Sequence, residues 1–186
     1  TVTTAVLAIV PTFFVGLDYW PALAHRLGEH SESLVYSLND LFLMVGPLYL
    51  LTLMGFPIEM ALKVQWVIIA LCVGIVAILW RSRRIDFDTK VAGLMLAMLL
   101  SAPYLWYYEV AMMALIGLFM VRGEILRRTP AQMLLLICLW CGGVLQALYV
   151  FYPIFDRHLT GAVIITPVWV ARMVIVLMHA FAMHRQ

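Results

Sequence analysis

Long apolar runs separated by short polar links dominate this chain. A helix needs roughly 20 apolar residues, at about 1.5 Å each, to cross the hydrocarbon layer of a bilayer. Thr1–Leu17, Val64–Trp80, Gln132–Tyr152 and Gly161–Met183 read as such spans. Leu41–Gly55 is apolar but short, and Pro47 is expected to interrupt it. Val91–Val121 is too long for one span. Pro103 and the polar aromatics after it divide this run into two short helices that meet at a break. The stretch W-P-A-L-A-H-R-L-G-E-H, residues 20–30, mixes polar and apolar positions as a helix lying in the membrane interface does. The pattern predicts an all-α, polytopic transmembrane bundle of about five to seven spans, some short or re-entrant, plus an interfacial helix. Residues 1–186 are expected to form a single transmembrane domain.

Composition strengthens this reading. Of the 186 residues, 65% are hydrophobic and 12% charged, against about 45–50% and about 25% in a soluble domain. A core this small cannot hide so much apolar surface, so lipid is its natural solvent. A net charge of +2 gives no footprint for nucleic acid. No basic leader with a small-residue cleavage site stands at the start.

The position of the charges is more informative than their sum. Arg81, Arg83, Arg84 and Lys90 form one basic cluster, and Arg122, Arg127 and Arg128 another. With Arg185 they make eight of the twelve basic residues, and the positive-inside rule places them on the cytoplasmic side. Val91–Val121 must then enter and return, with its break toward the far side. Between residues 18 and 63 the acids Asp18, Glu29, Glu32, Asp40 and Glu59 face only Arg26 and Lys63, which puts this segment mainly outside. If Val64–Trp80 starts outside, either Leu41–Gly55 is re-entrant or Thr1–Leu17 runs in the opposite sense.

Few residues in the apolar runs can carry chemistry. Ser101–Glu109, S-A-P-Y-L-W-Y-Y-E, crowds Tyr104, Trp106, Tyr107, Tyr108 and Glu109 around Pro103. Irregular backbone at membrane depth is tolerated where it is buried in protein or lines a wet cavity. An intramembrane carboxylate usually faces the interior. These residues read either as an outer pocket for a sugar or isoprenoid, with Glu109 a weak candidate base, or as an aromatic belt at the headgroups. Arg172 stands alone in its span and suits a lipid phosphate or a pairing with Glu109. Cys72, Cys138 and Cys141 read as small packing residues. His25 and His30 are five apart, which does not align them on a helix face, so no metal ligand set and no cofactor is assigned. His179 and His184 read as interfacial, and Asp156, Arg157 and His158 as an outer turn. Ser37 or Asn39 is placed to cap the apolar helix that follows, or the set Tyr36, Ser37, Asn39 and Asp40 forms a polar wall of an external cavity.

The order of an F-V-G-L-D-Y-W segment (Phe14–Trp20), a polar Y-S-L-N-D-L (Tyr36–Leu41) and the later S-A-P-Y-L-W-Y-Y-E-V resembles the C-terminal half of bacterial polyprenol-phosphate-mannose-type glycosyltransferases of the GT-C fold. Ser101, Pro103, Trp106, Tyr108 and Glu109 are the matching positions, and Ala102 separates Ser101 from Pro103 where the family often has them adjacent. The resemblance implies sugar transfer from a polyprenyl-phosphate donor on the extracytoplasmic side of a bacterial cytoplasmic membrane. It also implies a catalytic aspartate in an early outer loop of an N-terminal half. Asp18 does not match that aspartate, so this chain is expected to be the C-terminal part of a longer one. The other expectation is a non-catalytic transmembrane subunit packed in a larger complex, with membrane lipids and partner subunits as its partners. A transporter fits least, because the sequence shows no repeated halves.

Overall fold

The computed structural model describes residues 2–36, 44–126, 129–152 and 160–185. They form eight α-helices and one 3₁₀ helix, with no strand among them. The helices are α1 (Val2–Val15), α2 (Tyr19–Tyr36), α3 (Pro47–Leu53), α4 (Ile58–Arg81), α5 (Phe87–Ser101), α6 (Met112–Arg122), α7 (Pro130–Phe151) and α8 (Ala162–Arg185). Three helices are long and apolar enough to cross a membrane: Ile58–Arg81, Pro130–Tyr149 and Ala162–His184.

Two compact units divide the chain, Thr1–Leu41 and Phe42–Gln186. In the first, α1 has 14 residues, about 21 Å of helix. Gly16, at φ 94°, supplies the left-handed turn after it. Trp20 reaches back from α2 and donates its indole N–H to the Thr12 hydroxyl at 2.8 Å. The interfacial stretch does form a helix, α2, on which exposed His25 and Arg26 both lie close to Glu29.

The second unit packs α4, α5, α6 and α8 around buried Leu96, Ile116, Trp169 and Val176. Here α5 is central, lying against α4, α6 and α8, while α7 lies along α8. Chain direction sorts the ends. Arg81 ends α4 just before Asp86 caps α5, and Arg122, at the end of α6, pairs with Asp88 at 3.5 Å. Arg84 at this same end donates to the His184 carbonyl near the end of α8 at 2.9 Å. The described members of the basic clusters therefore share one pole. Arg127 and Arg128 lie outside the described residues.

Val91–Val121 divides as the sequence pattern requires. Helix α5 stops at Ser101, the chain is irregular through Pro103, a 3₁₀ helix covers Tyr107–Ala111, and α6 returns. The two limbs are 15 and 11 residues, about 22 and 16 Å, and α6 comes back to Asp88 at the start of α5.

Within Leu41–Gly55, residues 44–46 are not helical and Pro47 opens α3 at its first position, where its missing N–H would have had no intrahelical acceptor in any case. The cap of α3 is Gly46. Ser37, Asn39 and Asp40, read as caps or cavity wall, lie outside the described residues, as do Asp156, Arg157 and His158.

Candidate functional site

The break between α5 and α6 leaves backbone groups that helix geometry does not satisfy. Several of them have protein partners. Gln65, buried on α4, donates its amide to the carbonyls of Leu100 and Ser101, both at 3.1 Å, closing the end of α5. The Leu105 carbonyl accepts from the Val45 N–H at 2.9 Å, and Met44 and Trp106 form an antiparallel bridge. The Val45 carbonyl in turn accepts from the Thr166 hydroxyl of α8 at 2.9 Å. Gly46 lets this strand-like segment pass close to the break, since a Cβ there would sit 3.3 Å from the Ala102 oxygen.

Trp106 and Glu109 bond to each other within the following turn. The Trp106 N–H donates to the Glu109 carboxylate at 2.8 Å, and the Glu109 N–H donates to the Trp106 carbonyl at 3.0 Å. A glutamate three residues after the start of a helical turn is the carboxylate half of a capping box. The spacing Trp106–Glu109 carried this signal in the sequence, and the sequence reading passed over it.

The aromatics then fall into two groups. Tyr107 is half-buried against the core. Trp106 and Tyr108 lie nearly parallel, with centroids 6.2 Å apart and 13° between planes, and Tyr107 meets Tyr108 edge-on at 5.7 Å. Tyr108 is 61% exposed, so the stacked pair offers an aromatic face to the surroundings, with Glu109 half-buried beside it. Tyr104 is half-buried within the break.

Arg172 does not join this group. It is 1% exposed on α8, and its Nη2 donates to the Gln132 carbonyl at the start of α7, at 3.1 Å. Thr166, which ties α8 to the segment beside the break, lies six residues earlier, about 9 Å along the helix. Arg172 thus sits nearer the basic pole than Glu109 does, and the two make no ion pair. Its Nη1 has no hydrogen-bond acceptor among the described residues, and neither has the indole N–H of Trp169, one turn earlier. Sequence reading missed Gln65, Gln132 and Thr166. Each is an uncharged polar residue at the edge of or within an apolar run, which was the available signal.

Compared with protein-family models, curated proteins and solved structures, the chain matches none.

Proposed function

We propose that this chain is part of a multi-pass membrane glycosyltransferase of a bacterial cytoplasmic membrane, which moves a sugar from a polyprenyl-phosphate donor on the extracytoplasmic side. The observation that carries the reading is the broken hairpin. It presents a Trp106–Tyr108 stack and a carboxylate together, at the end of α5 away from the arginines. Stacked aromatic rings suit the apolar faces of a sugar or an isoprenoid unit. Glu109 holds the Trp106 N–H with one oxygen, and a carboxylate has lone pairs left for a substrate hydroxyl. In this reading Arg172 does not meet the donor phosphate, because 1% exposure leaves it no route there without movement.

The test is transfer of labelled sugar from a polyprenyl-phosphate donor in membranes carrying the full-length protein. Tyr108→Ala and Glu109→Gln are expected to lower transfer at least tenfold at unchanged protein level. Wild-type rates in both variants would remove the proposal.

The second reading is a non-catalytic subunit in a larger complex, in which partner spans, and not lipid alone, cover the apolar flanks. The spans α4 and α7 leave large apolar side chains uncovered, including Trp66 at 69% and Leu71 at 61% on α4, and Leu134 at 60% and Trp140 at 73% on α7. Under that reading Tyr108→Ala and Glu109→Gln leave transfer untouched, while Trp140→Arg dissociates the complex.

A further inference from the structure

A groove of about 470 Å³ opens at the basic pole between the last turns of α4 and α8, on the other side of the second unit from the aromatic stack. Its floor is apolar. Leu79, Ile85 and Ala180 close it from beneath as a small buried cluster. Ile78 at 61% and Phe181 at 58% exposure carry the apolar lining outward onto the flanks of the two helices. Its rim is cationic, formed by Arg81, Arg83 and Arg84 with His184, and no carboxylate lines it.

The nearby acids are already engaged. Asp86 caps α5 through the Thr89 N–H and hydroxyl, each at 2.7 Å, and Asp88 pairs with Arg122. Among the described residues, neither Arg81 nor Arg83 has an acidic partner within 4.0 Å. Arg84 is held over the groove by its bond to the His184 carbonyl, which also covers one of the exposed carbonyls at the end of α8. The rim arginines therefore keep forked N–H donors that match phosphate oxygens.

An apolar floor under a ring of arginines, open sideways to the lipid-facing flanks, fits a ligand with an anionic head and an acyl body. Free phosphate would leave the floor wet. Trp80 marks the level: it is 47% exposed one residue before Arg81 and meets Phe87 edge-on at 6.4 Å, as aromatic side chains do at the headgroup layer. Basic pockets between transmembrane helices on the cytoplasmic side bind anionic lipid heads.

We propose that this groove binds an anionic glycerophospholipid of the leaflet on the arginine side, with its phosphate on Arg81 and Arg83 and its first methylenes against Leu177 and Phe181. The proposal goes beyond sugar transfer and stands or falls separately from it, since neither the aromatic stack nor Glu109 takes part.

The purified chain, in a non-ionic detergent with equal amounts of phosphatidylglycerol and phosphatidylcholine of the same acyl chains, is examined by native mass spectrometry. Wild type is expected to retain phosphatidylglycerol preferentially. Arg81→Gln with Arg83→Gln, both exposed positions, should lower that preference about thirtyfold, from about 1 kcal/mol for each arginine. Phe181→Ala should weaken retention of both lipids, and Arg122→Gln, at the same pole but outside the groove, should leave the preference unchanged. Equal retention of the two lipids by wild type would overturn the proposal. So would an equal loss in Arg122→Gln, which would mean general attraction to a basic surface. Displacement of the bound lipid by millimolar inorganic phosphate would also overturn it, because the site would then be one for the free anion.

Discussion

Gln65 and Leu100 meet across α4 and α5, the amide of the first donating to the carbonyl of the second at 3.1 Å and to that of Ser101 at the same distance. The helix end that Pro103 creates is thereby finished by a neighbouring helix. Backbone carbonyls at the end of a helix have no partner inside it, and within a bilayer water cannot supply one. The Gln65 amide is therefore one of the groups that let the hairpin turn against the protein.

Replacing that amide is expected to show directly. Gln65→Leu keeps the volume roughly constant and strands two carbonyls, which should lower stability by about 1–3 kcal/mol. Trp66→Leu, one residue on and 69% exposed, should change little. Denaturant unfolding of the purified chain in detergent separates the two. A Gln65→Leu protein as stable as wild type would mean that the carbonyls find another partner.

Glu109 allows structure and chemistry to be separated by two substitutions. Glu109→Gln keeps an oxygen for the Trp106 N–H, so stability should fall by a few tenths of a kcal/mol at most. Glu109→Ala loses the acceptor and should cost about 1 kcal/mol. If the carboxylate also serves transfer, both variants lose activity although only the alanine protein loses stability. Activity that follows stability across the pair would make Glu109 a cap alone.

How much of this was legible beforehand differs by element. The break at Pro103 could be read because two independent signals agree: an apolar run longer than one span, and basic clusters flanking both of its ends. The start of α4 was set too late. Ile58 begins the helix, and Glu59 and Lys63, both exposed, tolerate the first turns, whereas an apolar criterion waits for Val64. Pro47 was legible as an interruption but not as a helix start, because a proline marks a helix start as readily as a helix end and only the neighbouring backbone decides which. The Ser101–Glu109 segment stood out by its residue types. Its partners did not, because Val45, Gln65 and Thr166 come from three distant places in the chain and no short-range pattern links them.

Gly161 and Gly74 make a second contrasting pair. A Cβ on Gly161 would fall on the Gly142 carbonyl oxygen and the Gln146 backbone, where α8 starts against α7. Gly161→Ala must push the helices apart, and overpacking of this kind costs about 1–3 kcal/mol. Gly74 lies inside α4 with open space around it. There alanine should stabilise by about 0.5–1 kcal/mol, since glycine inside a helix gives up more backbone freedom. Paired unfolding midpoints in detergent test both signs, and a neutral Gly161→Ala would show that α7 and α8 do not pack as closely as the geometry requires.

Arg172 gives the least intuitive expectation. Its guanidinium is 1% exposed, with one carbonyl acceptor and no carboxylate partner among the described residues. Burying a charge strips it of water, and one hydrogen bond does not restore what is lost. The acceptor gains little from the contact, because a carbonyl in the first turn of α7 already accepts from the next turn of its own helix. Truncating the arginine therefore leaves no orphaned group behind. Whole buried ion pairs replaced by apolar residues of similar size often leave a protein as stable or more stable, by about 1–4 kcal/mol, and an ion with no counter-charge has less still to lose. Arg172→Leu and Arg172→Met are accordingly expected to raise the unfolding midpoint or leave it unchanged. If Arg172 is retained for what the protein does, transfer or assembly with partner subunits should fall in these same variants. Losses of stability and of function together, by more than about 2 kcal/mol in the first, would instead identify Arg172 as the lock that holds α7 to α8.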